Sequence, residues 1–146
     1  MKPVRVEPCL LESIAALEQV AFAHPWSREA LELLCSEKAF GFACVENGSV
    51  LAYGGMLTVL DEGQITNIAT HPDHRRRGLG ASVLSALLDE ARARRLCFVT
   101  LEARVSNIAA VSLYEKFGFR VVGKRPRFYT SPAEDALVMQ CNLEEN

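Results

Sequence analysis

The chain has 146 residues, which predicts a single domain over residues 1–146 with its own hydrophobic core. Hydrophobic residues make up 49% and charged residues 23%, and the net charge of -2 argues against a dedicated binder of nucleic acid or anionic membranes. The five cysteines form no Cys-x-x-Cys pair. The amino-terminal segment is too polar for a signal peptide, and no apolar run reaches the ~20 residues of a membrane span. Together these observations predict a cytoplasmic protein.

The first half of the chain is predicted to combine two helices with a group of strands. In chain order these are a strand over 4–7, a helix over 9–23, a short helix from Ser27 to Glu37, and strands over 40–46, 50–60 and 64–70. Ser27 has the side chain of a helix N-cap. Asn47-Gly48 is a strong signal for a hairpin turn. The pair Gly54-Gly55 inside a strand predicts a bulge or a close approach of backbone.

The second half alternates strands with helices. It is predicted to contain helices over 78–94 and 108–117, and strands over 97–102, 121–122 and 136–140. Asn107 can cap the second of these helices and Gly118 can end it. A strand–helix–strand unit implies a locally parallel pair of strands, so the fold class is α/β with a mixed sheet.

The sharpest local feature is a glycine-containing loop with three arginines, RRRGLGA over residues 75–81, between a strand and a helix. Glycine lets backbone approach a ligand, and the unpaired N–H groups of a first helical turn favour a phosphate or pyrophosphate. A solvated charge run at a helix start is the structural alternative. The loop is neither a P-loop, since no Gly-Lys-Ser/Thr follows, nor a complete dinucleotide fingerprint.

Two segments of the chain resemble motifs of the GNAT acetyltransferases. Residues 68–80, IATHPDHRRRGLG, look like the acetyl-CoA-binding segment of that family. Residues 107–119, NIAAVSLYEKFGF, resemble its second motif. The resemblance implies a GNAT fold, with about seven strands in a mostly antiparallel mixed sheet, four helices, and strands splayed to admit acetyl-CoA.

A narrower resemblance extends over nearly the whole chain. Pro25-Trp26-Ser27, residues 66–69, residues 101–107 and the segment around Tyr129 are similar to the bacterial ribosomal-protein-alanine N-acetyltransferases. It implies transfer of an acetyl group from acetyl-CoA to the N-terminal α-amine of a protein, an N-terminal alanine of a small-subunit ribosomal protein. Two alternatives stay open: a GNAT enzyme that acts on a small-molecule amine or a lysine, and a non-catalytic CoA-binding scaffold domain.

Glu102 and Tyr114 are the predicted catalytic residues. Acetyl transfer to an amine needs a neutral amine, a donor for the oxyanion and a proton for the departing thiolate. Glu102, at the end of a strand, matches the glutamate that serves as base in the similar enzymes. Tyr114 matches the family tyrosine that protonates the sulfur. The structural alternatives are a surface carboxylate for Glu102 and a core aromatic for Tyr114.

By the same resemblance, the cofactor lies along one strand and the start of the following helix. The residues expected to bind it are Ile68, Ala69, Thr70, Arg75, Arg76, Arg77, Gly78, Leu79, Gly80, Ala81, Asn107 and Tyr114. The main chain of 68–70 would pair with the pantetheine arm and supply the oxyanion donor. The amides of 76–81 would hold the pyrophosphate.

Two aromatic residues are candidates for the substrate cleft by resemblance, Trp26 and Tyr129. The three histidines have no set of carboxylates or thiols at ligand spacing, so no metal is expected. The expected partner is a protein N-terminus, with neither nucleic acid nor membrane.

Overall fold

Seven strands and four α-helices make up the part of the chain that the computed structural model describes, residues 1–143. The strands are β1 (Val4–Arg5), β2 (Ala39–Glu46), β3 (Ser49–Val59), β4 (Glu62–Thr70), β5 (Phe98–Arg104), β6 (Arg120–Thr130) and β7 (Ala133–Asn142). The helices are α1 (Leu11–Ala21), α2 (Arg28–Leu31), α3 (Leu79–Ala93) and α4 (Ile108–Lys116). All strands join one sheet in the order β1-β2-β3-β4-β5-β7-β6.

The predicted turn and cap residues lie where the sequence placed them. Ser27 Oγ accepts the N–H of Ala30 at 3.1 Å, and Asn107 Oδ1 accepts the N–H of Ala110 at 3.2 Å. Asn47 and Gly48 connect β2 to β3 with φ of 53° and 80°, the left-handed conformation that a two-residue hairpin turn requires.

Several predicted elements differ in extent from the observed ones. The first helix is shorter than 9–23, because a 3₁₀ turn over Pro8–Leu10 precedes α1. The second helix is half 3₁₀, since α2 passes into a 3₁₀ segment over Glu32–Cys35. Both strands of the last hairpin are longer than the strands predicted over 121–122 and 136–140. Most of β6 is exposed, and it therefore shows no alternation of apolar residues.

The sheet opens between β4 and β5. This pair is parallel, whereas the other neighbours are antiparallel, and it covers only three residue pairs, of which Gln64 with Thr100 is the last. Beyond that point β4 continues to Thr70 and β5 to Arg104 without pairing to each other. The prediction of a mixed, mostly antiparallel sheet with splayed strands is therefore confirmed.

Two hydrophobic clusters form the core. One joins α3 to strands β2 through β5 and β7, and the other joins α1 and α2 to β2 and β3. The close approach predicted at Gly54 is confirmed, because a Cβ there would lie 2.8 Å from Val83 Cγ1 of α3. The bulge is also present, but its extra residue is Thr66 of β4, which has no partner between the pairs Gly55–Asn67 and Met56–Ile65. Both features lie beside the opening of the sheet.

Candidate functional site

A cavity of about 360 Å³ lies at the opening between β4 and β5, and is called the cleft below. Its lining comes from the α1–α2 connection, β4, β5, α4 and the end of β6. Six of the predicted site residues border it: Trp26, Ile68, Glu102, Asn107, Tyr114 and Tyr129. The fold thus brings together residues that are far apart in the sequence.

Glu102 lies on β5 with its carboxylate half-buried at the cleft. Its Oε2 is 3.3 Å from Nε of Arg125, which belongs to β6. Both side chains retain substantial exposure, so this ion pair contributes little to stability. The carboxylate of Glu102 is therefore accessible from the cleft and lies beside the positive charge of Arg125.

Tyr114 lies on α4 and is largely enclosed. Burial, with a smaller contribution from the nearby Tyr129, raises the pKa of Tyr114 to about 12. Its phenol therefore keeps its proton at neutral pH and can donate that proton as a hydrogen-bond donor or an acid. The ring also packs against Phe119 with a centroid distance of 5.9 Å, so the residue has an aromatic packing role as well as an available hydroxyl.

Tyr129 forms part of the cleft wall that the β6–β7 hairpin provides. The guanidinium of Arg104 lies 4.3 Å from the centroid of its ring. Arg104 also donates to Glu134 Oε1 at 3.1 Å and to the carbonyl of Pro132 at 2.9 Å. Burial raises the pKa of Tyr129, and the carboxylate of Glu102 adds to the shift. Arg104 thus contacts both the tip of the β6–β7 hairpin and the ring of Tyr129, and it holds the two in place.

The opposite wall of the cleft carries Trp26, and a histidine joins the two walls. Nε2 of His24 lies 3.0 Å from Oγ of Ser131 at the tip of the hairpin. The sequence contained no signal for this contact, because 107 positions separate the two residues. This polar contact therefore connects the α1–α2 connection to the tip of the β6–β7 hairpin across the cleft.

The glycine loop lies at the start of α3 and does not border the cleft. Gly78 is the N-cap with φ of 75°, and a Cβ there would have no heavy atom within 4 Å. The first helical hydrogen bond runs from Ser82 N–H to the carbonyl of Gly78 at 3.0 Å, so the N–H groups of residues 79–81 have no partner within the helix. Open space and free amides are what an anionic group needs.

The remaining predicted cofactor residues differ in how their side chains are placed. Ala69 and Leu79 are buried in the core, which leaves only their main chains available to a ligand. Arg77 approaches Glu46 at 3.6 Å and His74 at 3.0 Å, while Arg75 and Arg76 are exposed. Ala81 borders a different cavity, of about 610 Å³, which runs along α3 and includes neither Glu102 nor Tyr114.

One residue of the site region was missed in the sequence. Glu18 is fully buried on α1, where its carboxylate accepts hydrogen bonds from Trp26, Tyr53 and Asn67. A signal was present, because Glu18 falls on the same helical face as Leu11 and Ile14. A carboxylate among core positions indicates a buried polar network.

Within residues 1–143, no three side chains of histidine, cysteine, aspartate or glutamate lie together as a metal site would require. In the same part of the chain, no helix is both long enough and apolar enough to cross a membrane.

Comparison with known proteins identifies relatives along most of the chain. Residues 11–119 match the acetyltransferase (GNAT) family. The [ribosomal protein bS18]-alanine N-acetyltransferase of Escherichia coli K12 is 39% identical over 125 residues, 84% of each chain. A protein of Bacillus subtilis described as a putative enzyme of the same kind is 36% identical, over 92% of this chain and 91% of its own. The crystal structure of the Escherichia coli ribosomal-protein-S18-alanine N-acetyltransferase superposes with a TM-score of 0.91 at 35% identity, covering 99% and 95% of the two chains.

Proposed function

The chain belongs to the GNAT acetyltransferase family, and we propose that it transfers the acetyl group of acetyl-CoA to the N-terminal alanine of ribosomal protein bS18. The observation that carries this proposal is the cleft at the opening of the sheet, where Glu102 and Tyr114 border one cavity. The relatives named above support the choice of acceptor. We further propose that residues 1–146 form one catalytic domain, which acts in the cytoplasm without a metal.

The residues fit an elongated, anionic co-substrate. Splaying leaves the far half of β4 without a strand neighbour on the side of β5, so its main chain can bond to a pantetheine arm. The open amides at the start of α3 suit a pyrophosphate, and Asn107 borders the cleft. We assign these groups to acetyl-CoA, which supplies the acetyl group as a thioester.

Glu102 and Tyr114 then have complementary roles in the transfer. Glu102 takes a proton from the acceptor amine, directly or through a water, as its nitrogen bonds to the carbonyl carbon. A main-chain N–H of residues 68–70 stabilises the oxyanion. As the carbon–sulfur bond breaks, Tyr114 gives its proton to the departing thiolate. Protons balance, because one leaves the amine and one reaches the sulfur.

The basicity of the acceptor favours an N-terminus over a lysine. A peptide α-amine has a pKa of about 7.7–8.0, against about 10.4 for lysine. Roughly a tenth of α-amines are therefore neutral at pH 7, compared with fewer than a thousandth of lysines. A single carboxylate such as Glu102 is enough for the first group, whereas a lysine calls for stronger assistance.

A peptide panel tests the acceptor. Peptides that begin with alanine are expected to be acetylated on the α-amine, with kcat/KM rising towards about pH 8 as that amine loses its proton. Mass spectrometry of free, N-terminally blocked and lysine-containing peptides reads out the site. Labelling of blocked peptides at lysine, or of small polyamines alone, would contradict the N-terminal assignment. The absence of any turnover, with CoA still bound, would indicate a scaffold domain.

The glycines of the loop before α3 provide a test of the cofactor site. A Gly78→Val, Gly80→Val double variant should raise the Kd for acetyl-CoA at least about tenfold, because valine at Gly78 must adopt a left-handed φ and valine at Gly80 must fit against Thr70 and Leu113. Calorimetric titration with acetyl-CoA measures the change. Gly48→Val, in the hairpin turn, is the matched control: it has the same kind of backbone strain and should leave the affinity unchanged. Full affinity in the double variant would refute the pyrophosphate assignment.

A further inference from the structure

Glu18 is the only buried charged side chain within residues 1–143, and it is bonded to groups that form the cleft. Its Oε1 accepts the main-chain N–H of Trp26 at 2.8 Å. Its Oε2 accepts the hydroxyl of Tyr53 at 2.5 Å and Nδ2 of Asn67 at 3.1 Å. Trp26 and Asn67 both border the cleft, so a single carboxylate holds two parts of the cleft in place.

The chemistry of this carboxylate sets the orientation of the Asn67 amide. An ionised carboxylate only accepts hydrogen bonds, so the amide has to turn its NH₂ group towards Glu18. Burial raises the pKa of Tyr53, and the charge of Glu18 raises it further, so the tyrosine keeps its proton and is a second donor to the same oxygen. The carbonyl oxygen of Asn67 therefore faces away from the carboxylate.

That oxygen is not fully buried. Every buried side-chain nitrogen and oxygen within the described residues has a hydrogen-bond partner. Oδ1 of Asn67 has none there, so it must be accessible, and the residue lies in the cleft wall one position before Ile68. The cleft thus contains a preoriented acceptor whose direction is fixed by a buried charge.

We propose that Oδ1 of Asn67 accepts an N–H of the acceptor's α-amine, and that Glu18 is the positioning residue that keeps the amide turned for this contact. An amide oxygen accepts from an ammonium or a neutral amine without taking its proton, so Asn67 orients the nitrogen and leaves deprotonation to Glu102. This inference rests on the proposed function, because it requires an acceptor with a terminal amine.

The test compares two peptides that differ only in the terminal amine. One has the N-terminal sequence of bS18, and in the other a propionyl group replaces the first alanine. Both are titrated calorimetrically into the enzyme saturated with CoA, which cannot acetylate them. The wild-type protein should bind the amine-bearing peptide more tightly. Asn67→Ala should reduce this preference about tenfold, the effect of one hydrogen bond to a charged group.

Two further variants separate orientation from a general loss of structure. Gln64→Ala removes an exposed amide from the same strand outside the cleft and should keep the full preference. Glu18→Gln should raise the KM for the peptide about tenfold while leaving the KM for acetyl-CoA unchanged, because the amide of Asn67 is then no longer held in one orientation. If Glu18→Gln does not fold, the Asn67→Ala titration decides alone.

The outcomes distinguish this inference from the proposed function. A wild-type protein that binds neither peptide overturns both. A wild-type protein that acetylates the amine-bearing peptide, together with an Asn67→Ala variant that keeps the full preference, overturns only the role of Asn67. A rise in both KM values in Glu18→Gln overturns the positioning role of Glu18.

Discussion

Replacing Tyr114 by phenylalanine is expected to lower kcat by roughly 10²–10⁴-fold, the usual effect of losing a positioned acid. The ring and its contact with Phe119 remain in this variant, so the aromatic packing is preserved. Only the hydroxyl that would protonate the thiolate is lost. Steady-state turnover, measured by the release of free CoA at saturating peptide, gives the magnitude.

The pH profile of the wild-type protein provides a second observation on Tyr114. A tyrosine with a pKa of about 12 stays protonated up to strongly alkaline pH, so it remains competent as an acid there. The rate should therefore rise as the acceptor amine deprotonates and then level off, without an alkaline decline until the pH approaches the pKa of Tyr114.

Two controls separate chemistry from stability at Tyr114. Ser112→Ala removes an exposed hydroxyl from the same helix and should change neither the rate nor the melting temperature appreciably. Acetyl-CoA affinity should persist in Tyr114→Phe. Turnover near the wild-type value combined with a lower melting temperature would make Tyr114 a core aromatic and nothing more.

Glu102→Gln is expected to lose a comparable 10²–10⁴-fold in kcat/KM for the peptide at pH 7. Glutamine has nearly the same shape and keeps one acceptor oxygen, but it cannot accept the amine proton. The loss should become smaller as the pH rises above the pKa of the α-amine, about 7.7–8.0, because the acceptor is then neutral without assistance. Initial rates between pH 6.5 and 9 measure this convergence.

Arg125→Gln is the matched control for Glu102. It also breaks the 3.3 Å ion pair with the carboxylate, yet it keeps the base. Because both partners of the pair are partly exposed, this variant should change stability by less than about 1 kcal/mol and keep most of the rate. If Arg125→Gln were as inactive as Glu102→Gln, the ion pair rather than the base would explain the loss.

The sheet was largely predictable because its signals are local. The apolar runs of β2 and β3, the left-handed turn at Asn47-Gly48 and the helix caps at Ser27 and Asn107 each depend on neighbouring residues. β6 was underestimated for a physical reason. It is an edge strand with most side chains in solvent, so neither face imposes an apolar pattern.

The candidate site was predictable where it follows motifs and unpredictable where it depends on distant pairs. Glu102 and Tyr114 come from segments whose family pattern is recognisable, and the fold places both at one cleft. The contact of His24 with Ser131 and the bonds of Glu18 to Tyr53 and Asn67 join residues 35 to 107 positions apart. Such contacts arise from the tertiary fold and leave only an indirect trace in the sequence.

The short parallel pairing of β4 with β5 also affects how the enzyme persists in a cell. The sheet is joined there by three residue pairs, and the buried members of the cluster beneath α1 and α2 all come from residues 6–69. A molecule that bonds to β4 in the opening adds contacts where the sheet has few of its own, and so stabilises the folded state. At a concentration of 100 times Kd, a ligand of the folded state lowers the opened fraction roughly 100-fold. Resistance to intracellular proteases, which cleave opened chains, should then follow the supply of acetyl-CoA.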